Sequence, residues 1–287
     1  MKVSSLPPNS FLSDVRVFQT DADGQLSATI GSDTERIAQN AVDSGSVLVV
    51  DFQHGQFASI AIPVLQGSRV ICVVVLTSKS QENDPTLSGV FEAWEPVGVY
   101  DELALQAGFF GSMERFRNVS SFVRFEKGSG LPGQVWDRKR SVIHRDLPNH
   151  PGFLRAAGAS ADSLSAAIGI PIASKVYHGT AVLISSLKTP IARAMEVWDV
   201  EENHYSLADS VCLGFDQSLS LTPDAKVEGG ASLMAMVAEA GTAVLCDDVQ
   251  KIFAGRDADA KLPETACGLA IPFYDGEQLT SITTLVF

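Results

Sequence analysis

Three stretches of this chain end in the same way, and that repetition constrains the fold more than any other feature. They are FASIAIPVLQGSRVICVVVLTS (57–78), LSAAIGIPIASKVYHGTAVLISS (164–186) and ACGLAIPFYDGEQLTSITTLVF (266–287). Each carries an apolar run closing on Ile-Pro (Ile62-Pro63, Ile170-Pro171, Ile271-Pro272), a short polar turn and a β-branched run. A proline has no N–H to give to a strand ladder, so it is expected at a strand end or edge. A short polar break followed by a β-branched run predicts a hairpin.

Upstream of each hairpin the pattern repeats again. A strand ending in an acid precedes it: SVLVVDF (46–52), SVIHRDL (141–147) and TAVLCDDV (242–249). Short helices are predicted before those strands, over Thr34 to Asp43, Leu131 to Arg138 and Ala231 to Ala240, the last closed by Gly241. Two further strands open each unit: Asp14–Gln19 with Leu26–Ile30, Val90–Trp94 with Ala104–Phe110, and Ala194–Val200 with Leu207–Phe215. The matching EAWEP (92–96) and EVWDV (196–200) set the register of the last two units. The unit is therefore strand, strand, helix, strand, strand, strand. This predicts an α+β fold of three antiparallel sheets with short helices on their faces, rather than a doubly wound parallel sheet. Boundaries are expected near 86, in the polar SKSQENDPTLSG (78–89), and near 190, at Pro190. The units then span 1–86, 87–190 and 191–287.

Composition narrows the partners. The chain of 287 residues has a formal charge of −13, which opposes general nucleic-acid or anionic-membrane binding. The charge is uneven: −4, +2 and −11 over the three units in order. The longest purely apolar run, Val70 to Leu76, is far too short to span a bilayer, and no leader is seen, so a cytoplasmic location is expected. Four cysteines without a CxxC or zinc spacing fit a reduced compartment. His144 and Asp146, with His150 nearby, read as a solvated or hydrogen-bonded group rather than metal ligands, and no metal is expected. No GxSxG or P-loop occurs, and no enzyme activity is expected.

At residues 128–156, GSGLPGQVWDRKRSVIHRDLPNHPGFLRA, the middle unit resembles the centre of a GAF domain, a small-molecule sensor module. The resemblance rests on Gly130, Leu131, Gly133, Asp146, His150, Pro151, Phe153 and Arg155, followed by the Gly169–Ile172 strand, and runs to Ser186. Units one and three join it through the internal repeat. It implies that the helix start and the Asp146–Leu164 loop line a ligand pocket. The candidate ligand-binding residues are Leu131, Pro132, Arg145, Asp146, His150, Phe153 and Arg155. A helix start carrying Pro132 favours anions, so a small anionic or polar ligand fits.

Loop length ranks the units. Between the acid-ending strand and the Ile-Pro strand, units two and three have about 16 residues, enough for a lid, and unit one has only QHGQ (53–56). Unit one is expected to be scaffold. In unit three the lid KIFAGRDADAKLPET looks irregular and lacks the HPxFxR pattern.

Several alternatives stay open at this stage. Arg155 either binds an anion or pairs with Asp162. The RKR run at 138–140 is a solvated turn or docks on the acidic third unit. Cys246 and Cys267 either approach one another or act as small apolar residues. Unit two holds no cysteine, so no bilin attachment is expected and no cofactor is assigned. The resulting expectation is a sensory protein that binds a small molecule in its middle unit and signals through a protein partner, a homodimer remaining open. The alternative is a protein–protein interaction scaffold whose pockets are filled by side chains.

Overall fold

Among the described residues sixteen strands assemble into three antiparallel sheets built in the same order. A computed structural model describes residues 1–3, 6–27, 31–52, 57–82, 84, 86–202, 204–222, 225–228, 230–256 and 260–287. In the first unit, β1 (Leu12–Gln19) is followed by α1 (Asp33–Ser44), β2 (Leu48–Phe52), β3 (Phe57–Gln66) and β4 (Arg69–Ser78). The second unit has β5 (Gly89–Val97), β6 (Glu102–Phe109), α2 (Glu114–Phe122), β7 (Arg124–Glu126), α3 (Gly130–Arg138), β8 (Val142–Arg145), α4 (Ala156–Ala161), β9 (Leu164–Ala173) and β10 (Tyr177–Ser186). The third has β11 (Ala194–Glu201), β12 (His204–Cys212), β13 (Lys226–Glu228), α5 (Leu233–Ala240), β14 (Val244–Cys246), α6 (Val249–Ile252), β15 (Gly268–Asp275) and β16 (Gln278–Val286).

The sheet orders are β2-β3-β4-β1, β8-β9-β10-β5-β6-β7 and β14-β15-β16-β11-β12-β13. This is the expected α+β architecture of three repeated units, each an antiparallel sheet with short helices on its face. The helices α1, α3 and α5 each follow a serine N-cap position (Ser32, Ser129, Ser232) and end on a left-handed residue (Gly45, Lys139, Gly241). In α1, Ser32 and Glu35 form a reciprocal capping box, which satisfies two otherwise free N–H groups.

Unit one stops at β1, where its neighbours add two more strands. Residues Met1–Val3 take part of the vacant edge: Val3 N–H donates to Val15 O at 3.1 Å and Val17 N–H to Met1 O at 3.0 Å. Of the strand expected over Leu26–Ile30, Leu26 bridges Thr20, and residues 28–30 lie outside the described residues. So does the whole QHGQ segment.

The Ile-Pro strands do not end at their prolines. β3, β9 and β15 run on through Pro63, Pro171 and Pro272 to Gln66, Ala173 and Asp275. The outer neighbours pair only up to Ala61, Gly169 and Ala270, so each proline sits where one flank of the strand has no ladder partner and no N–H is needed.

Those three bare flanks face each other. β3, β9 and β15 touch pairwise, and the Ile-Pro segments of all three surround a central cavity of ≈ 10 Å³, about one water in size. Around this centre the units join head to tail. β2 packs on β5 and β6, β8 on β11 and β12, and β14 on β1. The turn after β3 is bonded to the turn after β15, Gly67 N–H donating to Gly276 O at 2.7 Å. One apolar core runs through the junction of all three units, and separate cores lie under the outer faces of units two and three.

Candidate functional site

The outer core of unit two is where the resemblance puts a pocket, and here it is built around a buried ion pair. The strand β5 alternates, so Glu92 and Trp94 point to the same face, the one covered by the lid. Both are fully buried. Arg155 arrives from the lid just before α4 and is 2% exposed. Its Nη1 donates to Glu92 Oε1, and its Nη2 to Glu92 Oε2 at 2.9 Å. Nη1 also donates to Ser120 Oγ of α2 at 2.6 Å, and Trp94 Nε1 donates to Glu92 Oε2 at 2.9 Å. A charge buried this deeply needs a partner and hydrogen bonds on its remaining positions, and Glu92 has both.

Aromatic rings enclose the guanidinium. Its carbon lies 4.7 Å from the Phe116 ring centre, 5.2 Å from Phe153, 5.4 Å from Trp94 and 5.8 Å from Phe125. Phe153 stacks on Phe116 at 6.4 Å, which ties the lid to α2. Beneath them Leu131 and Val135 of α3 complete the packing. The close approach of α3 to β7 demands a glycine: a Cβ on Gly133 would stand 2.1 Å from the Glu126 carbonyl oxygen.

The seven candidate ligand residues therefore have identifiable neighbours. Leu131, Pro132 and Phe153 are core residues, Pro132 O accepting from Thr180 Oγ1 at 3.4 Å. Arg155 pairs with Glu92 and not with Asp162, whose Oδ2 is buried without a hydrogen bond and whose carboxyl is pushed up by burial. Arg145 pairs with Asp209 of β12, so it is held at the junction with unit three. Asp146 is exposed, in a left-handed backbone conformation, and accepts from Asn149 Nδ2 at 3.0 Å. His150 stacks on His144 with ring centres 3.8 Å apart, and its Nδ1 accepts from Gly152 N–H at 3.1 Å.

His144 is 1% exposed and contacts Gln134 Oε1 through Nε2 at 3.2 Å, with Nδ1 left without a partner. Burial first, then His150 and Arg138, push its pKa down to about 3. The imidazole is neutral at ordinary pH. Among the described residues no group of three or more His, Cys, Asp or Glu is placed to hold a metal ion.

Of the RKR run, Arg138 and Lys139 are exposed, while Lys139 and Arg140 reach acids of unit three. Lys139 lies 3.6 Å from Asp275, and Arg140 donates to both Asp199 oxygens at 2.9 and 2.8 Å. With Arg145–Asp209, three basic residues of unit two meet three acids of unit three. Ser141 adds a buried hydroxyl contact to Thr283 at 2.6 Å.

Unit three repeats the buried ion pair, which the sequence reading missed. Glu196 and Trp198 take the places of Glu92 and Trp94, with Trp198 Nε1 donating to Glu196 Oε2 at 3.1 Å. Arg256 Nη2 donates to Glu196 Oε1, both side chains being almost fully buried. Phe253 lies against Arg256 as Phe153 lies against Arg155. The lid contains α6 and places this arginine three residues after its phenylalanine instead of two, which hides the match. The recurring Glu-x-Trp was the available signal.

Cys246 and Cys267 do approach one another: Cys246 is opposite Gly268 in register, its backbone hydrogen-bonds to the Cys267 thiol, and both remain free thiols. Burial raises the thiols of Cys72, Cys246 and Cys267, the last to about 12.

No protein-family model matches the chain, and no curated protein matches it. Solved structures that align with it include GAF domains and free methionine-R-sulfoxide reductases. A GAF domain from A. aeolicus in an inactive state aligns at 21% identity and TM-score 0.28 over 34% of this chain and 57% of its own. The GAF domain of a phosphoenolpyruvate-protein phosphotransferase from Coxiella burnetii gives 21%, 0.28, 35% and 58%. The free methionine-R-sulfoxide reductase from Neisseria meningitidis, in complex with its substrate, gives 20%, 0.26, 39% and 57%. The chain thus spans less than two thirds of each. No helix among the described residues is long and apolar enough to cross a membrane.

Proposed function

We propose that this chain is a non-catalytic, GAF-like scaffold that acts through a protein partner, with the lids of its second and third units closed over side chains instead of a ligand. The observation that carries this reading is the Arg155–Glu92 pair inside its ring of aromatics, repeated as Arg256–Glu196. An anionic ligand in the middle unit would have to draw Arg155 from Glu92 and leave that carboxylate buried and unpaired. Arg145, the other cation assigned to a ligand, is held by Asp209. The raised thiols of the three buried cysteines favour a role without thiol catalysis.

Native mass spectrometry of the full chain tests the proposal. The expected mass is that of the polypeptide alone, in the wild type and in Arg155→Met alike. A small molecule that co-purifies with the chain and is lost in Arg155→Met would overturn it.

A further inference from the structure

Exposed large apolar side chains are not spread over this molecule. Among the described residues Val99, Tyr100, Val119, Phe122, Leu154, Val176 and Leu187 all belong to the stretch 87–190, and only Met1 lies elsewhere. That stretch is also the one with a positive charge. The two features coincide on α2. Arg115, Val119 and Phe122 follow at i, i+4 and i+7, so they share one exposed face, while Phe116 and Ser120 anchor the helix to the core. Phe122 is 86% exposed. Arg117 on α2 and Arg124 and Lys127 just beyond it add three cations, against Glu114 and Glu126, with Asp162 in the electrostatic reach of Arg115. Among the described residues none of these four basic side chains forms an ion pair, unlike Arg140 and Arg145 on the other side of the unit.

We propose that this face of α2 is the docking surface for an acidic amphipathic peptide segment of a partner protein, with apolar anchors set on Val119 and Phe122 and carboxylates set against Arg115 on the same face and Arg124 just beyond the helix. The inference rests on the scaffold reading and names its partner by chemistry. Charge complementarity selects the occupant. A basic, apolar strip on a chain of −13 attracts a short acidic segment, whereas an extended anionic surface would also meet the −11 of unit three. Exposed aromatic and arginine side chains together are the composition from which binding hot spots are built.

The test uses the full chain and a fluorescent helical peptide of about 15 residues with leucines at i, i+3, i+4 and i+7 and glutamates between them. Anisotropy titration is expected to show saturable binding that weakens with salt. Phe122→Glu and Arg115→Glu, both at exposed positions, are each expected to weaken it about tenfold or more. The same peptide with lysines for glutamates is expected not to bind.

Absence of binding, or equal binding by wild type and Phe122→Glu, overturns the proposal. So does sedimentation showing a wild-type dimer that Phe122→Glu dissociates, which would make the occupant a second copy. Co-flotation of wild type, but not Phe122→Glu, with phosphatidylserine vesicles would assign the face to lipid instead. A small molecule found by native mass spectrometry would refute the scaffold reading and leave the peptide result standing, so the two failures are distinguishable.

Discussion

Arg155→Met separates a structural arginine from a ligand-binding one. In the wild type its guanidinium meets Glu92 in two-pronged fashion, with side-chain exposures of 1% and 0%. Methionine keeps much of the volume against Phe116 and Phe153 but leaves Glu92 with only the Trp94 indole as donor. Removing one member of a buried pair costs about 3–5 kcal/mol, because the remaining charge is neither solvated nor compensated. Adding Glu92→Gln removes that charge and keeps an acceptor for Trp94, so the double variant is expected to recover at least half of the loss. Urea denaturation of the full chain, followed by tryptophan fluorescence, measures both. An Arg155→Met variant within about 1 kcal/mol of wild type, or a double variant no more stable than the single one, would refute the argument. A ligand-binding arginine gives the opposite pattern, since its removal relieves an unpaired cation.

Two further outcomes follow from the charges around it. The native pKa of His144, about 3, lies below the ordinary 6.5, so the folded state holds the neutral ring. Stability is then full above pH 6.5 and falls as pH drops towards 3, by about 2 kcal/mol at pH 5. His150, also lowered by burial, acts in the same direction. Denaturation midpoints at pH 7 and 5 should show this loss, and His144→Leu should remove most of it; an unchanged slope in His144→Leu counts against the assignment. At the junction of units two and three, Arg140→Ala with Arg145→Ala should cost about 0.2–1 kcal/mol per exposed pair at low salt. The cost should shrink in ~1 M NaCl, where screening acts within about 3 Å, and a salt-independent cost would point to packing instead.

The sequence carried the repeated unit well, for a physical reason. Strands buried on both faces, such as Val70 to Leu76, give unbroken apolar runs, and the Ile-Pro pair marks them three times over. The helices α1, α3 and α5 fall on the three stretches expected before the acid-ending strands, α5 closing on Gly241 as its sequence indicates. In contrast α2, with sequence ERFRNVSSF, buries only Phe116 and Ser120, so it has too little apolar periodicity to be seen. The strands β7 and β13 are three residues long and leave no alternation to read. At the candidate site, proximity of Phe153 and Arg155 was legible, but their partner was not. Glu92 lies 63 residues away in a strand that also carries Glu95, and only the fold shows that it is Glu92 that turns towards the lid. The basic run at 138–140 was likewise visible as charge, while its destination on Asp199 and Asp275 depends on how the units close.

That closure has a consequence for assembly. A head-to-tail contact between like units propagates without limit unless the rotation between them brings the last back to the first. Here β2, β8 and β14 each occupy the next unit's receiving surface, and the third returns to β1. Among the described residues no unused head or tail of this kind remains to recruit another molecule. A chain of three repeats, each carrying the surfaces of a polymer, thereby caps itself, and freeing any one unit would cost two junctions and expose both a donor and an acceptor to filament growth.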